Sequence, residues 1–334
     1  MNAAPEGVAL PELLSGPLSP NEFKVDSIDL YITSSCNRRC TFCFLPDAFL
    51  ESRSRMSVDM AVGIMAWAAA GDIDEVTVLG GEPAAHPQFG EIVVEARRHG
   101  RSVRTVTNGS TRFRKALADP TVAKALSRVA VSIDAPNANA MDRLRGDGAF
   151  ADAEATIAQL RDTGTSFDIN CTVVRSCLDT FPEMLAFAEA AGADRLNVHW
   201  YSSVGRGREH APDETVPAAQ WRDVLEQVRN YRPTRSGYVV DCELGYAYGL
   251  PGEDRHYCAV RQRENLQFFP SGAVFSCGLL VENEAMSGYH WHGGRLYEKA
   301  GPTEITHTAA CTGCPLRPST DGVAALCVYN RLVV

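Results

Sequence analysis

No stretch of this chain is apolar over the length of a bilayer-crossing helix. Met1 to Pro20 lacks the basic segment followed by an apolar one that marks a secretory signal. Positive charge is not in excess: the formal net charge is −9, which argues against a nucleic-acid or membrane-surface partner. There is no internal repeat and no low-complexity tract. What the chain has is 334 residues, 45% of them hydrophobic, enough for one large domain and a smaller one. It also has eleven cysteines. In a chain this long, with clustered spacings, they point to metal binding in a reducing compartment rather than to a secreted disulfide framework. The expected location is cytoplasmic.

Three of the cysteines fall in Cys36-Asn37-Arg38-Arg39-Cys40-Thr41-Phe42-Cys43, spaced C-x3-C-x2-C, after a short β-like run at Ile28–Thr33. A cubane iron–sulfur cluster takes one thiolate per iron, so three thiolates leave one iron without a protein ligand. An open position is what separates a reactive metal site from a structural one. A zinc knuckle is the alternative, but paired C-x2-C or histidine ligands are its usual form.

A second motif, Gly80-Gly81-Glu82-Pro83, follows the apolar run Val76–Leu79. Two glycines let a ligand approach the backbone. Glu82 offers a carboxylate suited to an ammonium group, and Pro83 fixes the turn.

Together the two motifs resemble the radical S-adenosylmethionine (radical SAM) superfamily. The resemblance implies a [4Fe–4S] cluster on Cys36, Cys40 and Cys43, with SAM chelating the open iron. It gives Glu82, with Gly80 and Gly81, the SAM amino group, and places Phe42 near the adenine. It further implies an external one-electron reductant of the flavodoxin or ferredoxin type.

From Ser27 the chain alternates strand-like runs (Ile28–Thr33, Glu75–Leu79, Val103–Val106, Val129–Ile133, Phe167–Val174, Leu196–Trp200) with helical patterns. The helices are expected at Val58–Ala70, with Ser57 as N-cap, and at Phe89–Arg98, Thr121–Leu126, Ala149–Arg161, Phe181–Ala191 and Ala218–Asn230. Gly71, Gly100, Gly164 and Gly192 stand where helix C-caps belong. Six βα units imply a parallel sheet. The family resemblance implies a partial (β/α)6 barrel. The expected division is a loose leader at 1–25, the barrel at 26–231 and a small C-terminal domain at 232–334. The leader is expected to leave no room for a peptide-binding module ahead of the barrel.

In such folds the chemistry sits at the C-terminal strand ends, where Asn108, Asp134, Cys177 and Tyr201 follow strands. The resemblance assigns Asn108, Ser132 and Asn170 to SAM; for the last two, buried polar residues satisfied by neighbours are the alternative. Asp134, His199, Tyr201, Arg206 and Arg208 are candidates for a polar or anionic substrate, or are surface loop residues. Cys177 is a candidate hydrogen-atom donor to a substrate radical. Cys171 should face the helices.

The last third holds Cys258, Cys277, Cys311-Thr312-Gly313-Cys314 and Cys327. Leu266–Phe269 and Val274–Ser276 read as a β-hairpin around Pro270-Ser271-Gly272. The spacing resembles a twitch domain, the shortened SPASM extension, and implies one auxiliary [4Fe–4S] cluster on Cys258, Cys277, Cys311 and Cys314. Cys327 is a further possible ligand, and zinc is the alternative metal.

The twitch resemblance implies epimerisation or dehydrogenation of a small sugar, aminocyclitol or nucleoside in natural-product biosynthesis. The second reading is a peptide-modifying maturase or a nucleoside decarboxylase or cyclase; the third is a non-enzymatic iron–sulfur scaffold. Anaerobically reconstituted protein is expected to bind about eight irons and a Cys36/Cys40/Cys43→Ala variant about four, read by iron and sulfide analysis.

Overall fold

Each barrel strand sorts its residues by the two-residue period of a pleated chain. One row packs outward under the helices and the other faces the interior. In β1 (Ser27–Thr33), Ile28, Leu30 and Ile32 join the core with Ile64 and Met65 of the first long helix, while Tyr31 faces an interior cavity. The computed structural model describes residues 16–244, 265–281, 284–299 and 331–334. After β1 come α1 (Asp47–Glu51), α2 (Val58–Ala69), β2 (Glu75–Gly80), α3 (Phe89–Arg98), β3 (Ser102–Thr107), α4 (Thr111–Leu117) and α5 (Pro120–Ala125). Next are β4 (Arg128–Ser132), α6 (Ala138–Arg145), α7 (Ala149–Thr163), β5 (Phe167–Val173), α8 (Phe181–Ala190) and β6 (Arg195–Trp200). The described residues then form α9 (Arg206–His210), α10 (Ala218–Asn230) and β7 (Val239–Glu243), with β8 (Gln267–Phe268), β9 (Ala273–Phe275), β10 (Tyr289–His292), β11 (Arg295–Glu298) and β12 (Arg331–Val333).

β1 to β7 run parallel in sequence order, giving the expected partial α/β barrel. The six anticipated strands are present. β7 adds a seventh, missed because Val-Val-Asp-Cys-Glu is short and half polar. The C-terminal hairpin is also present, since β8 and β9 pair antiparallel. It is joined to the barrel edge: β8 pairs parallel with β1, Asp29 opposite Gln267 and Leu30 opposite Phe268. β12 closes onto β7.

Local signals explain the helix ends. Ser57 accepts the Met60 N–H and starts α2. Gly164 ends α7 at φ 66°. Gly71 does not cap α2; the left-handed residue is Asp72, at φ 57°. Gly71 is small for another reason, because a Cβ there would lie 2.5 Å from Pro20 Cβ. Among the described residues no helix is long and apolar enough to cross a membrane.

The N-terminal half of the barrel interior is filled by charge. Arg128 donates to Asp168 at 2.5 Å and Arg104 reaches the same carboxylate at 3.5 Å and Glu75 at 3.2 Å. Arg195 pairs with Asp241 at 2.9 Å. Burial pushes the Asp168 carboxyl up, and the two arginines oppose it. Asp168→Ala would take the buried carboxylate from both guanidiniums, leaving Arg104 with Glu75 at 3.2 Å and Arg128 with Asp194 at 3.5 Å. It is expected to destabilise the protein by about 2 kcal/mol, below the roughly 3–5 of a fully buried pair because the arginines are partly exposed. The urea midpoint measures it.

Candidate functional site

A cavity of about 430 Å³ opens at the C-terminal ends of the strands. Cys36, Cys40 and Cys43 all line it. Burial pushes the Cys36 thiol up to about 11 and Cys43 to about 12, so without a bound cation these sulfurs stay protonated. Donors already point at them: Arg38 N–H meets Cys36 Sγ at 3.4 Å, Asn108 Nδ2 meets it at 3.6 Å, and Arg145 Nη1 stands 4.0 Å from Cys40 Sγ. Among the described residues only Asp47, Glu209 and His210 bring three ligand atoms within 4.8 Å of one another. The three cysteine sulfurs do not form such a group, so at least one pair of them lies farther apart than 4.8 Å. One zinc with Zn–S bonds of about 2.3 Å needs sulfurs roughly 4 Å apart, so the spacing suits a cluster of several metal ions better than a single ion.

The end of β2 is pressed against this loop. Gly81 N–H donates to Thr33 O at 2.8 Å and Glu82 N–H to Ser35 O at 2.9 Å. A Cβ on Gly81 would fall 2.7 Å from the carbonyl oxygens of Ser34 and Ser35 and 2.9 Å from Cys36 Cβ. Glu82 is buried yet well supplied with donors. Its Oε1 accepts from Thr107 Oγ1 at 2.7 Å and Ser110 Oγ at 3.3 Å, and its Oε2 from Asn108 N–H at 2.9 Å. Burial still outweighs these bonds and pushes its carboxyl up to about 7.

Ser132 and Asn170 sit opposite each other on β4 and β5, and both line the cavity. Asn197 Nδ2 donates to Asn170 Oδ1 at 2.8 Å, which leaves the Asn170 amide NH2 to donate to a ligand. Phe42 is buried, with the Arg145 guanidinium 5.1 Å from its ring centroid. Asp134 does not line the cavity. It pairs with Arg145 through two contacts, the longer at 3.1 Å, and accepts Thr172 N–H at 2.9 Å. Asp134 therefore orients Arg145, a cavity residue that sequence reasoning missed.

The other anticipated residues divide. His199 lines the cavity, as does Tyr201, whose hydroxyl is committed to Ala211 O at 3.0 Å. Arg206 turns away to Asp47 and to Cys40 O, the latter at 3.3 Å, because α9 lies over the cysteine loop. Arg208 is exposed and off the cavity wall. Cys177 is in the hydrophobic core, 3% exposed, and does not reach the cavity. Following a strand did not decide its direction, since a 3-10 turn at Arg175–Thr180 rotates it inward. Cys171 is buried on the helix side as expected, 3.6 Å from Asp134 O. Cys277 follows β9 beside Gly278, a cavity residue. Cys258, Cys311, Cys314 and Cys327 lie outside the described residues. Glu243, on the unanticipated β7, completes the wall next to His199. The alternation of β6, extended to β7, was the signal that could have found it.

The sequence pattern described as "Radical SAM superfamily" matches residues 30–188. The AdoMet-dependent heme synthase of Nitratidesulfovibrio vulgaris is 28% identical over 209 residues, 62% of this chain and 56% of the relative. The PqqA peptide cyclase of Methylocella silvestris is 28% identical over 216 residues, 63% of this chain and 56% of the relative. The chain thus spans a little over half the length of these curated relatives. Streptococcus suis SuiB, solved with its precursor peptide SuiA, matches with a TM-score of 0.62 at 17% identity, over 77% of this chain and 60% of SuiB. Gly81→Ala is expected to lower the iron held by the three-cysteine loop by about half or more, because the new Cβ displaces residues 34–36. Iron analysis and visible absorption measure it.

Proposed function

We propose that the chain is a peptide-modifying radical enzyme: the radical SAM superfamily pattern matches residues 30–188, and members of that superfamily bind a [4Fe–4S] cluster and SAM. Cys36, Cys40 and Cys43 would hold the cluster, and the thiol spacing and inward donors fit that group. Gly80, Gly81, Glu82, Asn108, Ser132, Asn170 and Phe42 would hold SAM. When bound and reduced by one electron from a flavodoxin or ferredoxin, the pair supplies a 5′-deoxyadenosyl radical that removes a hydrogen atom from a substrate C–H.

The chain's own side chains prepare the site. Burial raises the Glu82 carboxyl to about 7, so the positive charge of an arriving ammonium group favours release of the carboxyl proton to solvent and formation of a charge-assisted bond. The Asn170 NH2, its oxygen held by Asn197, is aimed to donate to a carboxylate. Arg145 covers Phe42 and brings positive charge toward Cys40. We also propose that Cys258, Cys277, Cys311 and Cys314 hold one auxiliary cluster, with Cys327 as an alternative ligand. Such clusters are carried by superfamily members with twitch or SPASM extensions. The expected division at 26–231 and 232–334 is kept for the two metal sites, although β7 and β8 both add to the barrel sheet.

The observation that carries the peptide reading is the likeness to the PqqA peptide cyclase along more than half of this chain. The likeness to the heme synthase runs over the same length and keeps the substrate class open to the experiment. A small sugar or aminocyclitol remains the second reading because Thr172, His199 and Glu243 line the cavity as a compact polar wall. Cys177 is not proposed as a hydrogen-atom donor to the substrate, since its thiol is in the core.

Reconstituted protein with dithionite and SAM is expected to form 5′-deoxyadenosine, and Cys36/Cys40/Cys43→Ala none. Among synthetic peptides, aminocyclitols, nucleosides and a porphyrin, α- or β-deuterated peptides are expected to pass deuterium into 5′-deoxyadenosine. No 5′-deoxyadenosine at all overturns the radical reading; deuterium transfer from another class overturns the peptide reading alone.

A further inference from the structure

His199 and Glu243 form a pair that the radical-forming machinery does not use. They occupy the inward rows of β6 and β7, one step beyond the register pair Val198 and Cys242, and both line the cavity. Glu243 Oε2 accepts the Trp200 N–H at 2.7 Å, which fixes the carboxylate. Its Oε1 lies 2.9 Å from His199 Nδ1. A carboxylate can only accept, so in the neutral ring Nδ1 carries the hydrogen and Nε2 the lone pair. Among the described residues nothing bonds to Nε2. The other ionisable side chains on the wall are Arg38, Arg145, Glu82, Tyr31, Tyr201 and the three cysteines. Below the pair, Arg195 and Asp241 are bonded to each other.

We propose that His199, held by Glu243, takes a proton from an O–H or N–H group adjacent to the substrate carbon that has lost its hydrogen atom. A radical centre next to a hydroxyl or amide acidifies it, because the charge left behind is shared with that carbon. The O–H or N–H bond breaks with its electron pair left on the heteroatom. The proton bonds to Nε2, and Glu243 balances the imidazolium. No electron enters or leaves in this step, so it needs no oxidant. The substrate class this selects has a hydrogen-bond donor next to the attacked C–H, as at an amino-acid α-carbon or a carbinol. The inference rests on the radical reading of the cavity.

Two measurements test it. Heteronuclear NMR of isotope-labelled histidine rings, with His199 assigned by its loss in His199→Asn, is expected to show the Nδ1–H tautomer in the wild type. Glu243→Gln, left with one oxygen for two donors, is expected to lose that signature. With whichever probe of the panel turns over, His199→Asn is expected to lower kcat by about 100-fold or more, with KM within about threefold and iron content retained. An Nε2–H tautomer in the wild type, or a kcat within about threefold of wild type, overturns the proposal. Absence of 5′-deoxyadenosine from the wild type instead overturns the radical reading and leaves the tautomer result standing.

Discussion

The cysteine loop is seated by a backbone-to-backbone contact that leaves no space for a side chain. Thr33 O and Ser35 O each accept an N–H from residues 81 and 82, and a Cβ at Gly80 would stand 2.7 Å from Thr33 O. Because the strands meet this closely, Glu82 has one direction open to it, toward the end of β3. There Thr107, Asn108 and Ser110 converge on its carboxylate, and Ser110 also caps α4. Two absent methyl groups therefore tie together the ends of three strands and the start of a helix.

The far side of the loop is held as firmly. Gly207 N–H donates to Cys43 O at 3.0 Å. Gly205, at φ 55°, passes so near Phe44 that a Cβ would lie 2.0 Å from its carbonyl oxygen. Arg38 reaches Gly146 O, Asp147 O and Asp152. The donor set is thus positioned by protein contacts on both flanks, with its sulfurs left to the ligand. A site preorganised in this way spends little ordering entropy when the ligand arrives.

The legible parts of this fold were those whose physics is local. A thiol spacing, a glycine pair at a strand end, a serine N-cap and a helical period each act over a few residues. Cys36, Cys40, Cys43, Gly81, Glu82, Ser132 and Asn170 were therefore brought to one cavity as read. Direction beyond a strand end has no period to read. Asp134 turned back to Arg145, Arg206 became a clasp on the loop, and Cys177 rotated into the core. Arg145 is held by a partner 11 residues away and Glu243 bonds one 44 residues away, and a short polar strand such as β7 carries too few apolar positions to announce itself. The chemistry assigned to the last third remained hardest to read, because one cysteine spacing serves zinc and iron–sulfur alike.

The parallel pairing of β8 with β1 also sets an order of events. Asp29 and Gln267 are bonded across 238 residues of sequence. At a synthesis rate of about 5–20 residues per second, β1 is made roughly ten seconds or more before its outer neighbour exists. Through that interval the strand leading into the cysteine loop presents an unpaired edge, the feature that invites strand addition by other chains. Contacts of such range are slow to form because a long loop must close first. Among the described residues, the wall bearing Gln267 and Gly278 is the last part of the cavity to be laid down, so the nascent barrel stays open on that side until the hairpin docks.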